Sequence, residues 1–176
     1  NIESVRKIMG VCPQHDILWG ELTAAQHIRL FGILRGVPRS KISSMIKEKL
    51  DEVLLYKYRN QRVRTYSGGM KRRLSVAIST IGDPRIVFMD EPTSGMDPLN
   101  RQRIWDLIQR IKKDRVVILT THSMEEAEFL GDRIVVLALG RMRAIGNTLH
   151  LKSRYGGGYS IYLVTNPECK QELKDR

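Results

Sequence analysis

The sequence predicts an α/β fold built on a parallel sheet and interrupted by a helical insertion. Three observations carry that expectation. Short β-rich runs at Ile86–Met89, Val116–Thr120 and Ile134–Leu139 lack polar alternation, as strands covered on both faces should. Amphipathic helical patterns separate these runs, so strand and helix alternate and imply parallel neighbours joined by right-handed crossovers. Residues 15–82 carry mostly helical periodicity instead.

Taken in order, Ile8 to Cys12 is an apolar run stopped by Pro13, which reads as a buried strand and its exit loop. Thr23 and Gln26 have capping-box spacing. The helix they open runs through Leu30 and Leu34 until Gly36 and Pro38 stop it. A second helix from about Ser40 sets Ile42, Ile46, Leu50, Val53 and Leu54 on one stripe. A third begins near Ser67 and carries Leu74, Ala77, Ile78 and Ile81 at helical spacing. From residue 83 the period becomes that of strands, with Ile104, Leu107, Ile108 and Ile111 marking a helix between two of them. Another helix opens at Ser123, with Glu126 at capping-box spacing. These patterns divide the chain into three blocks, 1–14, 15–82 and from 83 onward.

A chain of 176 residues suits one domain or a large piece of one. Its apolar stretches fall far short of the roughly 18 residues that a membrane helix needs. Two cysteines, Cys12 and Cys169, make no disulfide framework and suit a reducing compartment. The first residues have no secretory leader, and the chain does not start with Met, so a fragment is expected. Thirty Lys plus Arg against nineteen Asp plus Glu give a formal +11. Such a balance favours anionic partners: nucleic acid, an anionic membrane surface, or phosphates in a pocket. A solvated basic surface with its acidic complement elsewhere in a longer chain is the alternative.

Ligands of open parallel sheets bind outside the carboxyl ends of the strands. Gln14, the Asp90-Glu91 pair and His122 all fall at such ends. Asp90 at a strand tip suits Mg²⁺, a hard cation that prefers oxygen, and Glu91 beside it can act as a general base on water. An acidic turn closing a strand is the alternative, but Pro92-Thr93-Ser94-Gly95-Met96-Asp97-Pro98 continues as a defined turn into a helix start. His122 precedes the cap Ser123, near where a phosphate would meet a helix N-terminus; a satisfied core histidine is the other reading. Ser67-Gly68-Gly69 at a helix start exposes backbone N–H groups as an anion nest. Lys71, Arg72 and Arg73 follow in the first turn, where each cation opposes the helix dipole by roughly 0.3–1 kcal/mol. A bound anion would remove that penalty; otherwise these side chains reach solvent or acidic partners.

The order and spacing of these elements resemble the ATP-binding cassette (ABC) ATPases over nearly the whole chain. Tyr66-Ser67-Gly68-Gly69-Met70, the Asp90-Glu91 pair of a Walker B strand, the Ser94–Asp97 D-loop, His122 and the Q-loop position Gln14 stand in register. Residues 12–19, 66–75, 120–128 and 149–159 are similar to the A subfamily of ABC transporters, large multi-pass membrane proteins, many of which move lipids. The fold implied is a parallel-sheet P-loop NTPase-like core with a helical subdomain over residues 23–82, incomplete at the N-terminus.

The resemblance also implies roles. Gln14 would touch Mg²⁺ and water and couple to the membrane domains. Ser67, Gly68 and Gly69 would contact the γ-phosphate of ATP held by an opposing cassette. Asp90 would serve Mg²⁺, Glu91 would be the general base, Asp97 would join the two cassettes, and His122 would hold the γ-phosphate. Partners would be a second nucleotide-binding domain, the transmembrane domains and a lipid, with no nucleic acid, and the domain would face the cytoplasm from a membrane protein. Two departures stand out. Met70 replaces the Gln of many cassettes, and no G-x-x-x-x-G-K-[ST] loop lies in these residues, so the segment alone is expected to be inactive. By the same resemblance the core half spans 83–150, and 151–176, with the stretch Gly156–Tyr162, resembles the opening of a following regulatory segment. Two other classes remain open to the sequence: a soluble ABC ATPase acting on nucleic acid or ribosomes, and a short non-catalytic chain that regulates intact cassettes.

Overall fold

The computed structural model describes residues 8–156 together with Val5. Strands β1 (Met9–Cys12), β2 (Ile86–Asp90) and β3 (Val116–Thr120) lie parallel in that spatial order. Their register sets Cys12 opposite Met89 and Asp90 opposite Thr120. All three chains therefore leave the sheet at one edge, which brings the loops after Cys12, Asp90 and Thr120 together.

Between β1 and β2 the chain forms α1 (Ala24–Leu34), α2 (Arg39–Glu52) and α3 (Gly68–Ser79). The expected capping box is present: Thr23 Oγ1 accepts from Gln26 N–H, and Gln26 Oε1 accepts from Thr23 N–H at 2.8 Å, a pairing that satisfies two otherwise orphaned donors. The helix buries Ala24, His27, Ile28 and Gly32, while Leu34 is exposed. In α2 the stripe holds Ile42, Met45 and Leu50 and ends at buried Val53. Leu54 departs from expectation: it takes a left-handed φ of 58° after the helix has ended and faces solvent. Ile81 is buried as predicted but lies beyond the last residue of α3. The C-terminal end of α3 approaches β1 so closely that a Cβ on Gly10 would sit 2.0 Å from Ser79 O; only glycine permits that packing.

After β2 come α4 (Pro98–Ile111), β3 and α5 (Met124–Leu130). One buried cluster joins Ile28, Leu50, Leu74, Val87, Met89, Ile104 and Ile108, each burial removing apolar surface at about 1.5–3 kcal/mol per side chain. The two-faced coverage expected of the strands is not found among the described residues. Gly10, Cys12, Val87 and Met89 are buried, but Val11, Val116 and Ile118 on the other face are 53%, 57% and 47% exposed. An uninterrupted apolar run reports what each face can bury, not what covers it.

The described residues from Gly131 to Gly156 belong to a second unit. The predicted run at Ile134–Leu139 is a strand, β4 (Ile134–Ala138), but its partner corrects the expectation of a parallel neighbour. It pairs antiparallel with β5 (Arg141–Gly146), through a turn at Leu139 and Gly140 with φ of 54° and 68°, the backbone that a two-residue hairpin turn demands. Helix α6 (Thr148–Tyr155) follows, capped by Asn147 Oδ1 accepting from His150 N–H at 2.8 Å. The expectation for Gly156–Tyr162 lies, past Gly156, outside the described residues.

Candidate active site at the strand tips

Three strand tips converge on the Glu91 carboxylate. Glu91 itself holds a left-handed φ of 42°, which costs a non-glycine residue roughly 1–2 kcal/mol. Its N–H donates to Thr120 O at 3.1 Å and lies 3.2 Å from Thr120 Oγ1; the same hydroxyl donates to Asp90 Oδ1. This kink carries Glu91 out of the strand line. Gln14 Nε2 then donates to Glu91 Oε2 at 3.2 Å, and His122 Nδ1 lies 3.3 Å from Glu91 Oε1. His122 is not a core histidine: its side chain is 72% exposed. Gln14, Glu91 and His122 thus form one connected group, with Asp90 joined to Glu91 through Thr120.

Arg72 answers the question of the cations in the first turn of α3 partly as the sequence allowed, through an acidic partner, and mainly through backbone carbonyls. Arg72 and Arg73 are buried against backbone carbonyls, and Arg72 also pairs with the Asp16 carboxylate, the kind of acidic partner the sequence left open. Arg72 Nε donates to Pro92 O and Nη2 to Asp90 O, both at 2.8 Å, while Nη1 donates to Pro13 O and lies 3.4 Å from Asp16 Oδ1. Arg73 Nη1 donates to Val53 O at 2.8 Å. Burial and, after it, neighbouring Arg103 pull the Arg73 pKa down. Between the two guanidiniums, α3 is fastened to the loop after β1, to the tip of β2 and to the end of α2.

The Ser67 cap is present: Ser67 Oγ accepts from Met70 N–H at 3.3 Å. A Cβ on Gly68 would meet open space, whereas one on Gly69 would come within 2.8 Å of the Asn100 side chain. Asn100 lies in the first turn of α4, whose N-cap Asp97 accepts from Asn100 N–H at 3.0 Å and Asn100 Nδ2 at 2.7 Å. Those two bonds hold the exposed Asp97 carboxyl below its ordinary pKa. A cleft of about 400 Å³ is lined by Ser67, Gly68, Gly69, Gln14, Glu91 and Asp97, among others. Gln14, Ser67, Gly68, Gly69, Glu91 and Asp97 therefore border one cavity, whose lining does not include Asp90 or His122.

The turn between Glu91 and Asp97 has its own anchor. Glu126 is buried and accepts from Thr93 Oγ1 at 2.7 Å and Trp105 Nε1 at 3.0 Å. Only half of the expected Ser123 capping box forms, because the Glu126 carboxylate turns inward to these donors; Ser123 Oγ still accepts from Glu126 N–H at 3.3 Å. Cys12, at the end of β1, is buried with its thiol pushed up to about 11, so it is no nucleophile at neutral pH.

Among the described residues no group of three or more His, Cys, Asp or Glu could hold a metal ion by itself. The donors present are hard oxygens, the Asp90 carboxylate and the Gln14 amide. Such a set fits Mg²⁺, which keeps several waters and is shared between one or two carboxylates and substrate phosphates. The sequence reading named Arg72 but missed its contacts to backbone carbonyls, and it missed Thr120, Asn100 and the inward turn of Glu126. The run of cations against the α3 dipole was a signal for Arg72, and an Asn three residues after a capping Asp was one for Asn100.

Comparison with known proteins identifies the family. A family model described as ABC transporter matches residues 1–94. ABC transporter A family member 2 of Arabidopsis thaliana is 55% identical over 158 residues, 90% of this chain and 16% of that protein. ABC transporter A family member 1 of Dictyostelium discoideum is 54% identical over 169 residues, covering 96% and 19%. Phospholipid-transporting ATPase ABCA3 of Homo sapiens is 46% identical over 168 residues, covering 96% and 10%. The chain thus spans between 10% and 19% of the length of these three relatives.

Proposed function

The chain belongs to the ABC transporter family, on its A branch, and from that premise we propose that it forms the Q-loop to H-loop part of a nucleotide-binding domain whose Mg²⁺-ATP hydrolysis powers transport across a membrane. The observation that carries the reading is the Glu91 carboxylate, held between Gln14 and His122 at the tips of three parallel strands. When bound, Mg²⁺-ATP supplies the γ-phosphoryl group that is transferred to water.

The residues of this chain do the positioning that phosphoryl transfer demands. Glu91 accepts the proton of the attacking water at its carboxylate, and the Gln14 amide and the His122 ring fix the direction of that carboxylate. The His122 ring stands beside Glu91 at the tip of β3, where a ring N–H can donate to a phosphate oxygen. The Asp90 carboxylate and the Gln14 side-chain amide oxygen would hold Mg²⁺, which would neutralise charge on the phosphates. Ser67, Gly68 and Gly69 offer N–H groups at the start of α3 to a nucleotide held by a second nucleotide-binding domain, and Asp97 lies where the two would meet. The residues between 23 and 82 face the transmembrane domains on the cytoplasmic side. The phospholipid named in the human relative makes a lipid the favoured cargo.

Glu91→Gln in the full-length transporter tests the reading. It keeps the shape of the side chain and removes the base, so steady-state ATP turnover should fall by about 10²-fold or more while nucleotide binding persists. Turnover equal to the parent protein would end the proposal.

A further inference from the structure

We propose that Arg72 is a positioning residue that clamps the loop after β1 to the tip of β2, fixing where the Gln14 side chain meets Glu91. The inference rests on the catalytic reading of Glu91 and deepens it. One guanidinium has two working edges here. Nη1 donates to Pro13 O, to Gln14 O at 3.2 Å and toward Asp16 Oδ1 at 3.4 Å. Nε and Nη2 donate to Pro92 O at 2.8 Å, Asp90 O at 2.8 Å and Glu91 O at 3.3 Å. The first edge holds one loop and the second holds the other.

Gln14 and Glu91 give their main-chain carbonyls to this clamp while their side chains meet each other at 3.2 Å. Hydrogen bonds to the backbone at both ends leave the side-chain contact little freedom to lengthen. Arg72 is 4% exposed, and burying a cation is seldom the most stable solution for a core position. Its retention here is accounted for by geometry: lysine places three donors on one point and cannot fork between two loops, whereas a planar guanidinium can. Because Arg72 rises from α3, the same residue also links these loops to the helix that carries Ser67–Gly69.

The test uses Mg²⁺-ATPase kinetics of the full-length transporter carrying Arg72→Lys. Loss of the fork should lower kcat about tenfold or more, with KM for ATP within about twofold of the parent, since misplacement of reacting groups is costly and binding groups are untouched. In a Gln14→Ala background the same substitution should cost less than about twofold, because the contact it positions is already gone. Equal losses in the two backgrounds, or an unchanged kcat, overturn the clamp, since a residue that only stabilises the fold would act alike in both. Should thermal melts show that Arg72→Lys does not fold, Asp16→Asn replaces it. That variant weakens one edge of the clamp and should lower kcat by about two- to fivefold; no change overturns the inference. Glu91→Gln in the same preparations separates the two claims. Turnover that survives it removes the catalytic reading itself, while turnover abolished by it, with additive Arg72 and Gln14 effects, removes only the clamp.

Discussion

The strand tips and the N-terminus of α3 border the same cleft, yet they are held in place by different means. At the strand tips the chemistry resides in side chains, and each is placed by another side chain: Glu91 by Thr120, Gln14 and His122, the turn at residues 92–97 by Glu126, and the loop after β1 by Arg72 and His27. At the start of α3 the offered groups are backbone N–H donors, and the helix itself aims them. The lesson is that the first region is sensitive to the loss of distant polar groups, and the second to the addition of a single methyl.

Two glycines give the sharpest test of the second half of that statement. A Cβ on Gly68 meets nothing within 4 Å, while a Cβ on Gly69 comes within 2.8 Å of Asn100. Gly69→Ala should therefore shift the turn that carries Asp97 as well as crowd the nest, lowering ATP turnover by about 10²-fold and stability by about 1–3 kcal/mol. Gly68→Ala should leave the melting temperature nearly unchanged and still lower turnover by about tenfold, because only an anion at the nest would meet the new methyl. Full turnover in Gly68→Ala would show that no ligand approaches the backbone there, and the contrast between the two regions would collapse.

Trp105→Phe probes the first half without touching a residue that meets substrate. It keeps the ring packed against Phe129 and removes the Nε1 donor to buried Glu126. A buried carboxylate deprived of one of its donors should cost about 1–3 kcal/mol, measured by urea unfolding. The paired variant Thr93→Val removes the donor from the turn itself and should lower turnover more than Trp105→Phe does, although the lost bond is of the same kind. Equal effects on turnover would mean that Glu126 serves only the core.

The contrast also explains what was legible in the sequence. Strand ends, paired glycines and a capping Asp are local patterns, so Gln14, Asp90, Glu91, His122, Ser67–Gly69 and Asp97 could be picked out, and the register of three parallel strands brings the first four of these to one sheet edge. The residues that hold them could not be read, because their partners are remote in sequence: Arg72 bonds carbonyls of residues 13, 14, 90, 91 and 92, and Glu126 bonds Thr93 and Trp105. The β4–β5 hairpin escaped for a different reason. Arg141 and Arg143 break the apolar pattern of β5, and a hydrophobic run cannot by itself declare a parallel or an antiparallel partner.

The smallest expected effect tests the far end of the loop after β1. Trp19 N–H donates to His27 Nε2 at 3.0 Å, so the ring carries its proton on Nδ1, 2.9 Å from Thr23 O. His27 is fully buried. Burial lowers its pKa below the ordinary 6.5, an effect the Thr23 carbonyl only partly offsets. The folded state then binds fewer protons than the unfolded chain, so stability rises with pH through this window and is lost as pH falls below 6.5 toward the folded pKa. Protonation would place a hydrogen on Nε2 against the Trp19 donor, which releases the end of the loop whose beginning Arg72 holds. Urea melts between about pH 7.5 and pH 5.5 should show this slope in the parent chain. His27→Gln, which keeps an acceptor near the Nε2 position and cannot titrate, should flatten it. If both proteins lose stability equally on acidification, the loop is not held through a neutral histidine, and the strand-tip region depends on one fewer distant side chain than the comparison requires.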